Sequence, residues 1–264
     1  MEVTAYCADP VHAETVTAEA LRRWPAFRDA AGLAGELTCR QETIHEEDWA
    51  EGWKAYYHPL RVGRRLVIKP SWQSWPPAED PGAATPEDLI IELDPQMAFG
   101  TGTHATTQLC LEALERYVTP GAIVADIGAG SGILSIAAAL LGAGSVVAWE
   151  LDPVGVQVAR ANCAHNGVAA RCTVHAGDAL AALEGQFNLI VANVHTQFLL
   201  QLVPRLAEHL RPGGQAILSG TTETSLPGLT AALAQAGLAL VEQHTREEWA
   251  VAVARSTGVS PVSD

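Results

Sequence analysis

A glycine-rich run, Asp126-Ile127-Gly128-Ala129-Gly130-Ser131-Gly132, has the spacing of residues that hold a small ligand. It lies between an apolar run that ends at Ala125 and a second one from Ile133 to Leu141, so it predicts a turn from a buried strand into a helix. Glycine lets a ligand approach the backbone closely, and open α/β sheets bind ligands at this end of their strands. The loop therefore indicates a cofactor site that includes Gly128, Gly130 and Gly132.

Two details of this loop favour S-adenosylmethionine as the cofactor. The Gly-x-Gly-x-Gly spacing differs from the Gly-x-Gly-x-x-Gly of pyrophosphate-binding loops. Asp126 precedes the loop, where its charge disfavours a pyrophosphate and suits a ligand that carries an ammonium and a sulfonium group. We expect Asp126 to take part in binding, and the same two details disfavour a nicotinamide-dependent dehydrogenase.

Two acidic residues follow the next two predicted strands. Glu150 lies at the end of the run 145–151, where a carboxylate can accept hydrogen bonds from both hydroxyls of a ribose; the alternative is a solvated acid at a strand end. Asp178 follows the run 171–175 and can accept from the adenine amino group, or it can cap the next turn. Asp152 is expected to be the N-cap of a helix that starts at Pro153.

Asn193 and a loop of small residues complete the predicted site. The side-chain carbonyl of Asn193, at the end of the fourth strand, can accept from an amine and orient its lone pair toward a methyl group; the alternative is an Asn in a turn. The loop 94–107 precedes a predicted helix, 108–118, with a threonine as N-cap, and we expect it to enclose the cofactor through Phe99, Gly100, Thr101 and Thr107. His104 and His195 are candidate proton acceptors, or structural histidines.

Composition excludes several classes of protein. The chain has 264 residues, of which 48% are hydrophobic and only 17% are charged, and this composition argues against disorder. Its net charge of −14 argues against nucleic-acid binding through phosphate contacts. Its five cysteines include no Cys-x-x-Cys pair, which argues against a disulfide framework or a structural zinc site. The first residues lack the pattern of a signal peptide, and no apolar run is long enough to span a bilayer. We expect a cytoplasmic monomer without a metal.

The pattern of elements predicts an α/β fold. Repeated strand–helix units require a mostly parallel, Rossmann-like sheet that is covered on both faces. Two late strands lack an intervening helix and should pair antiparallel. The seven predicted strands are 123–127, 145–151, 171–175, 187–192, 215–219, 239–244 and 249–254, with helices at 133–141, 153–167, 197–210 and 229–236.

Four segments are expected along the chain. Residues 1–45 form a small, short α+β domain, with strand-like runs at 3–7 and 37–44 and a helix at 13–24. Residues 46–86 contain a connecting helix with Trp49 and Trp53, a short strand at 66–68, and a segment, 70–86, whose five prolines exclude an α-helix. Residues 87–255 form the catalytic domain, and 256–264 a flexible tail.

These motifs resemble those of the ribosomal protein L11 methyltransferases, the PrmA family. The resemblance covers about residues 46–254, and the run Phe99-Gly100-Thr101-Gly102-Thr103-His104 is its most specific part. It rests on residues 47–54, 65–72, 94–107, 126–136, 150–153, 166–168, 192–193, 212–214, 218–220 and 248–249. Glu150 departs from the more usual Asp, His195 replaces a small or aliphatic residue, and the segment before Glu46 is short.

The resemblance implies an activity and its partners. It implies a class I methyltransferase fold, S-adenosylmethionine as cofactor, and methylation of lysine side chains and the N-terminal amine of ribosomal protein L11. It also implies cofactor contacts at Thr107, Gly128, Glu150 and Asn193, and substrate recognition by the N-terminal domain. The alternatives are a methyltransferase that acts on another protein or a small amine, and a noncatalytic module that binds a partner.

Overall fold

The computed structural model describes residues 10–32, 37–39, 57–94 and 100–257, and the chain divides into two units, Met1–Tyr56 and Tyr57–Asp264. Among the described residues of the first unit there is one helix, α1 (Pro10–Ala31), which extends the predicted helix at both ends. The predicted strand 3–7, the helix with Trp49 and Trp53, and residues 40–44 and 258–264 lie outside the described residues. None of the helices in the described ranges is long and apolar enough to cross a membrane.

A three-stranded sheet begins the second unit. It consists of β1 (Leu60–Val62), β2 (Leu66–Lys69) and β3 (Leu89–Glu92), with β1 antiparallel and β3 parallel to β2. The sequence predicted only β2. The other two strands have three and four residues, and such short runs carry little periodicity of their own.

A partly buried ion pair holds the proline-rich segment between β2 and β3. Arg61 donates from both terminal nitrogens to the two carboxylate oxygens of Asp88, each at 2.8 Å, and Trp75 Nε1 donates to Asp88 Oδ2 at 2.7 Å. The guanidinium of Arg61 holds the pKa of Asp88 well below its usual range. The segment contains one short 3-10 helix, Pro81–Ala83, and no α-helix, as its prolines predicted.

The larger sheet carries the fold. Its strands are β4 (Ile123–Ile127), β5 (Ser145–Glu150), β6 (Cys172–Ala176), β7 (Phe187–Asn193), β8 (Leu210–Thr222), β9 (Leu238–Arg246) and β10 (Trp249–Ser256). The strand order is β6-β5-β4-β7-β8-β10-β9, and β10 runs antiparallel to both of its neighbours while the others are parallel. This confirms the predicted Rossmann-like, seven-stranded, mostly parallel α/β sheet with a late antiparallel strand.

Helices cover both faces of this sheet. Alternate residues of a strand point to opposite faces, so in β7 Leu189 and Val191 join one core cluster while Ile190 and Ala192 join the other. The helices are α2 (Ala105–Tyr117), α3 (Ile133–Leu140), α4 (Pro153–His165), α5 (Ala179–Ala182), α6 (Thr196–His209) and α7 (Leu226–Gln235). The first cluster includes residues of α2 and α3, and the second includes residues of α6 and α7. Because both faces are apolar, polar groups accumulate where the strands end.

The side chains of specific N-cap residues mark where α4 and α2 begin. Asp152 Oδ1 accepts from Val154 N at 2.9 Å, which confirms the predicted N-cap of α4. The prediction for α2 was wrong: the helix starts at Ala105, and its N-cap is His104 rather than a threonine. Thr106 and Thr107 lie within the first turn, and the imidazole of His104 accepts the hydrogen bond that a threonine hydroxyl was expected to accept.

An asparagine side chain covers the outer edge of β3. Asn166, just beyond α4, accepts from Glu92 N at 2.8 Å through Oδ1 and donates to Glu92 O at 2.8 Å through Nδ2. On the opposite side, Leu89 N donates to Arg65 O, just before β2, and Leu93 N donates to Lys69 O of β2, so the backbone of Glu92 faces away from the sheet. The amide group therefore pairs with β3 as a neighbouring strand would.

Candidate functional site

A cavity of about 290 Å³ lies where strands β4, β5 and β7 end. The sheet brings together most of the residues that the sequence predicted as cofactor contacts. Those that line the cavity are Gly100, Thr107, Gly128, Gly130, Glu150, Asp178 and Asn193. Asp126, Gly132, Thr101 and His104 do not line it, and Phe99 lies outside the described residues.

The glycine loop requires glycine for two different reasons. Gly128 has a φ of +77°, and a Cβ there would lie 2.6 Å from Val194 Cγ1, so a side chain would collide with the far wall of the cavity. Gly132 has a φ of +83°, and its Cβ would lie 3.2 Å from Ala159 in α4. Gly128 therefore keeps the cavity open, whereas Gly132 allows two helices to pack closely.

Glu150 is already bound to the loop that it faces. Its Oε2 accepts from Gly130 N at 2.8 Å, and its Oε1 accepts from Asp152 N at 2.9 Å. Each carboxylate oxygen has a further lone pair, so both can still accept from a ligand hydroxyl. Gly155, which the sequence reasoning missed, makes this position accessible, because a Cβ there would lie 2.8 Å from Glu150 Cγ. The available signal was a glycine in the first turn of a helix.

Asn193 and Thr107 meet across the cavity. Asn193 Nδ2 donates to Thr107 Oγ1 at 3.4 Å, and Thr107 is only 1% exposed. With Nδ2 directed at the hydroxyl, Oδ1 remains as the hydrogen-bond acceptor of the amide group. This is the orientation that the predicted role of Asn193 requires.

Both candidate histidines act as helix caps. Nδ1 of His195 accepts from Phe198 N at 3.2 Å, and Nδ1 of His104 accepts from Thr106 N at 3.3 Å. A neutral imidazole that accepts at Nδ1 carries its proton on Nε2, so each ring would have to release its cap to take up a proton. His104 also packs edge-on against Trp249, with 5.0 Å between ring centroids. These contacts favour the structural alternative for both residues.

The loop before α2 is tied to the glycine loop. Ser131 Oγ donates to Gly100 O at 2.6 Å, a contact that the sequence reasoning missed. A Cβ on Gly102 would lie 2.5 Å from Ile68 Cδ1 and 3.1 Å from Ile133 Cδ1, so this glycine lets the loop lie flat on the core. Gly100 is thereby held at the edge of the cavity, whereas Thr101 points to Thr103, with 3.0 Å between their hydroxyl oxygens.

Asp126 lies beneath the glycine loop and is fully buried. Its Oδ2 accepts from Ser135 Oγ at 2.6 Å, while its Oδ1 has no hydrogen-bond partner among the described residues. Burial raises the pKa of Asp126 to about 6, and the bond from Ser135 offsets part of that rise. A buried carboxylate with an unpaired oxygen, one residue from the cavity wall at Ile127, fits a cationic ligand such as S-adenosylmethionine. Asp126 would influence that ligand through the electric field of its charge and not through direct contact.

Asp126→Asn should make the free energy of unfolding less sensitive to rising pH. The pKa of Asp126 is about 6 in the folded state and about 3.9 in the unfolded chain. The folded state therefore holds a proton that unfolding releases, and the wild type loses about 1–1.5 kcal/mol between pH 5 and pH 7.5 through this group. The variant lacks that loss, so its free energy of unfolding relative to wild type should increase over the same range. Urea denaturation at both pH values measures the difference, and parallel pH profiles would contradict the assignment.

Comparisons with known proteins agree with this geometry. The family model described as "Ribosomal protein L11 methyltransferase (PrmA)" matches residues 1–257. The ribosomal protein L11 methyltransferase of Pelotomaculum thermopropionicum is 48% identical over 224 residues, which are 85% of this chain and 70% of that protein. The corresponding protein of Heliobacterium modesticaldum is 43% identical over 242 residues, 87% of this chain and 74% of the relative.

Solved structures share the fold. The crystal structure of a ribosomal protein L11 methylase from Lactobacillus delbrueckii subsp. bulgaricus has a TM-score of 0.69 at 37% identity and covers 76% of this chain and 100% of its own. A methyltransferase from Pyrococcus furiosus, 18% identical with a TM-score of 0.53, covers 64% of this chain and 90% of its own, and shows the fold alone. From the match along residues 1–257 and the identity to these relatives, the chain belongs to the ribosomal protein L11 methyltransferase (PrmA) family.

Proposed function

We propose that this protein transfers methyl groups from S-adenosylmethionine to amino groups of ribosomal protein L11, namely lysine side chains and the N-terminal amine. One observation carries the proposal: the glycine loop, Glu150 and Asn193 line the same cavity, and the amide oxygen of Asn193 can accept from an amine there. The names of the relatives supply the protein substrate.

The cofactor would be held along the strand ends. Glu150 would accept from the ribose hydroxyls. Asp178 would accept from the adenine amino group, and this role is compatible with its cap, since only Oδ1 is used by Leu180 N, at 2.9 Å. The charge of Asp126 would favour the cationic end of the ligand. Gly100 and Thr107 would form the side of the cavity nearest the reacting methyl group.

The protein's own groups would orient the amine. Bound S-adenosylmethionine supplies an electrophilic methyl group that an amine displaces in line. A free lysine has a pKa of about 10.4, so the cavity must favour its neutral form by desolvation. Asn193 Oδ1 would accept one N–H of the amine and direct the lone pair. Since Nδ1 of both histidines holds a helix cap, we infer that the proton leaves to water.

Methyl-labelled S-adenosylmethionine and a bacterial extract test this function. We expect one labelled ribosomal band, which mass spectrometry should identify as L11 carrying methyl groups on lysines and on its N-terminal amine. A labelled band of another protein, or a labelled small molecule, would support a different methyl acceptor. An extract without any label would support a noncatalytic module instead.

Other properties stay predictions. We expect a cytoplasmic monomer that does not bind to membranes. We also expect no binding to nucleic acid, because the net charge of −14 opposes phosphate contacts. We also propose that the first unit recognises the protein substrate, since the predicted cofactor contacts all lie in the second unit.

A further inference from the structure

We propose that Cys163 and Cys172 form a dithiol site that a low-molecular-weight disulfide, such as oxidised glutathione, converts into an intramolecular disulfide. The site lies between the end of α4 and the start of β6, away from the cavity lining. The inference is independent of the proposed methyltransferase function.

The backbone brings the two cysteines together. Val168 N donates to Cys163 O at 2.9 Å, and Cys172 N donates to Val168 O at 3.1 Å, so the chain returns directly from the helix to the strand. Their side chains share one hydrophobic cluster, in which Cys163 is a buried member and Cys172 packs against it, and the two thiols interact electrostatically. Cys172 Sγ also donates to Ser135 O of α3 at 3.7 Å, which holds the thiol between the sheet and that helix. Both residues are free thiols in the structure.

The two thiols differ in exposure and acidity. Cys163 is 1% exposed, whereas Cys172 is half-buried on β6, the edge strand of the sheet. Their contact lowers the pKa of the Cys172 thiol and raises the pKa of the Cys163 thiol. The thiolate is the attacking species in disulfide exchange, so Cys172 is the residue that reacts first.

The chemistry proceeds in two exchange steps. The Cys172 thiolate attacks one sulfur of oxidised glutathione, forms a mixed disulfide, and releases one glutathione thiolate. Cys163 then loses its proton to solvent and attacks the Cys172 sulfur, which forms the protein disulfide and releases the second glutathione. The protein is oxidised by two electrons, and one glutathione disulfide is reduced to two thiols.

The disulfide would link β6, at an edge of the sheet, to the end of α4. It closes a short ring from α4 to β6, and closing such a ring restricts the unfolded chain. For a domain of this size we expect Tm to rise by about 5 °C. No residue of the cavity lining lies between Cys163 and Cys172, so the affinity for S-adenosylmethionine should not change on oxidation.

Peptide mapping of the full-length protein tests the site. After incubation with oxidised glutathione and alkylation of the remaining thiols, trypsin should cut at Arg160, Arg171 and Arg205. Because Arg171 separates the two cysteines, the disulfide should appear as a cross-linked pair of peptides, residues 161–171 and 172–205. We expect this pair to contain most of Cys163, and the intact protein to lose two hydrogen atoms at this site.

Three variants give matched controls. Cys110→Ser changes another fully buried thiol, whose pKa burial raises, and should keep both the cross-link and the rise in Tm. Cys163→Ala should stop at a glutathione adduct on Cys172, and Cys172→Ala should leave Cys163 alkylated. Wild-type protein in which Cys172 carries only glutathione, or pairs with Cys39, would overturn the proposal. The wild-type map decides the question even if a variant fails to fold.

Discussion

Asn193→Ala is expected to lower the turnover number for methyl transfer by about 100-fold or more, while the Kd for S-adenosylmethionine changes by less than about threefold. The alanine lacks the amide oxygen that would accept from the amine, and that contact should be strongest in the transition state. The glycine loop and Glu150, which would hold the cofactor, remain unchanged. Labelled transfer to L11 at saturating cofactor gives the turnover number, and calorimetry gives the Kd.

Glu150→Ala is the matched control, because it should show the opposite pattern. Loss of its charge-assisted hydrogen bonds should weaken cofactor binding by about 1.5–3 kcal/mol, with little effect on turnover once the cofactor is saturating. If Asn193→Ala lowers affinity and turnover equally, Asn193 is only a binding residue. Near-normal turnover in that variant would remove its role altogether.

Removal of the first unit should abolish methylation of L11 without impairing the cofactor site. A chain that starts at Tyr57 retains both described sheets and the three hydrophobic clusters of their core, so we expect it to fold. Its Kd for S-adenosylmethionine should stay within about threefold of wild type, since every residue of the cavity lining is present. Its methyl transfer to L11 should fall by about 100-fold or more, because the acceptor amines are no longer brought to the cavity.

Surface features of α1 support this prediction. Val16 and Phe27 are 38% and 59% exposed, and their spacing of 11 residues, about three helical turns, places them on the same side of the helix. Phe27→Asp in the full-length chain is the corresponding point variant, and it should raise KM for L11 while leaving the cofactor Kd unchanged. A soluble truncation that methylates L11 at the full-length rate would place recognition in the second unit.

Local patterns were enough to predict the central elements. The strand 123–127 was predicted with its observed bounds, because an apolar run that ends at a glycine turn predicts both a buried strand and the position of its end. The strand β8 was predicted from Gln215, yet it starts at Leu210, because Leu210 pairs with Phe187 of β7 and the register shifts before Gln215 pairs with Leu189. Pairing with neighbours fixed that boundary, and no local pattern reports it.

In the candidate site, too, some features were predictable from local patterns and others depend on contacts between distant segments. Thr107 and Asn193 are 86 residues apart, and the predicted parallel sheet explains why they meet. Asp126 was expected near the ligand, yet strand periodicity places it on the same face as Val124, toward Ser135 of α3. That outcome was readable from the alternation of β4. The roles of Gly155 and Ser131 were not, because each depends on how closely two separate segments approach.

Asn166 has a consequence for how the molecule behaves at high concentration. An edge strand normally presents unpaired N–H and C=O groups that can recruit a strand from another chain. In β3 the outward-facing amide and carbonyl of Glu92 are both occupied by one side chain, which also donates to Asn162 O at 2.9 Å. The carboxylate of Glu92, paired with Lys69 and with His165 at 2.5 Å, adds charge at the same edge. We therefore expect Asn166 to hinder aggregation through the outer edge of β3, independently of the active site.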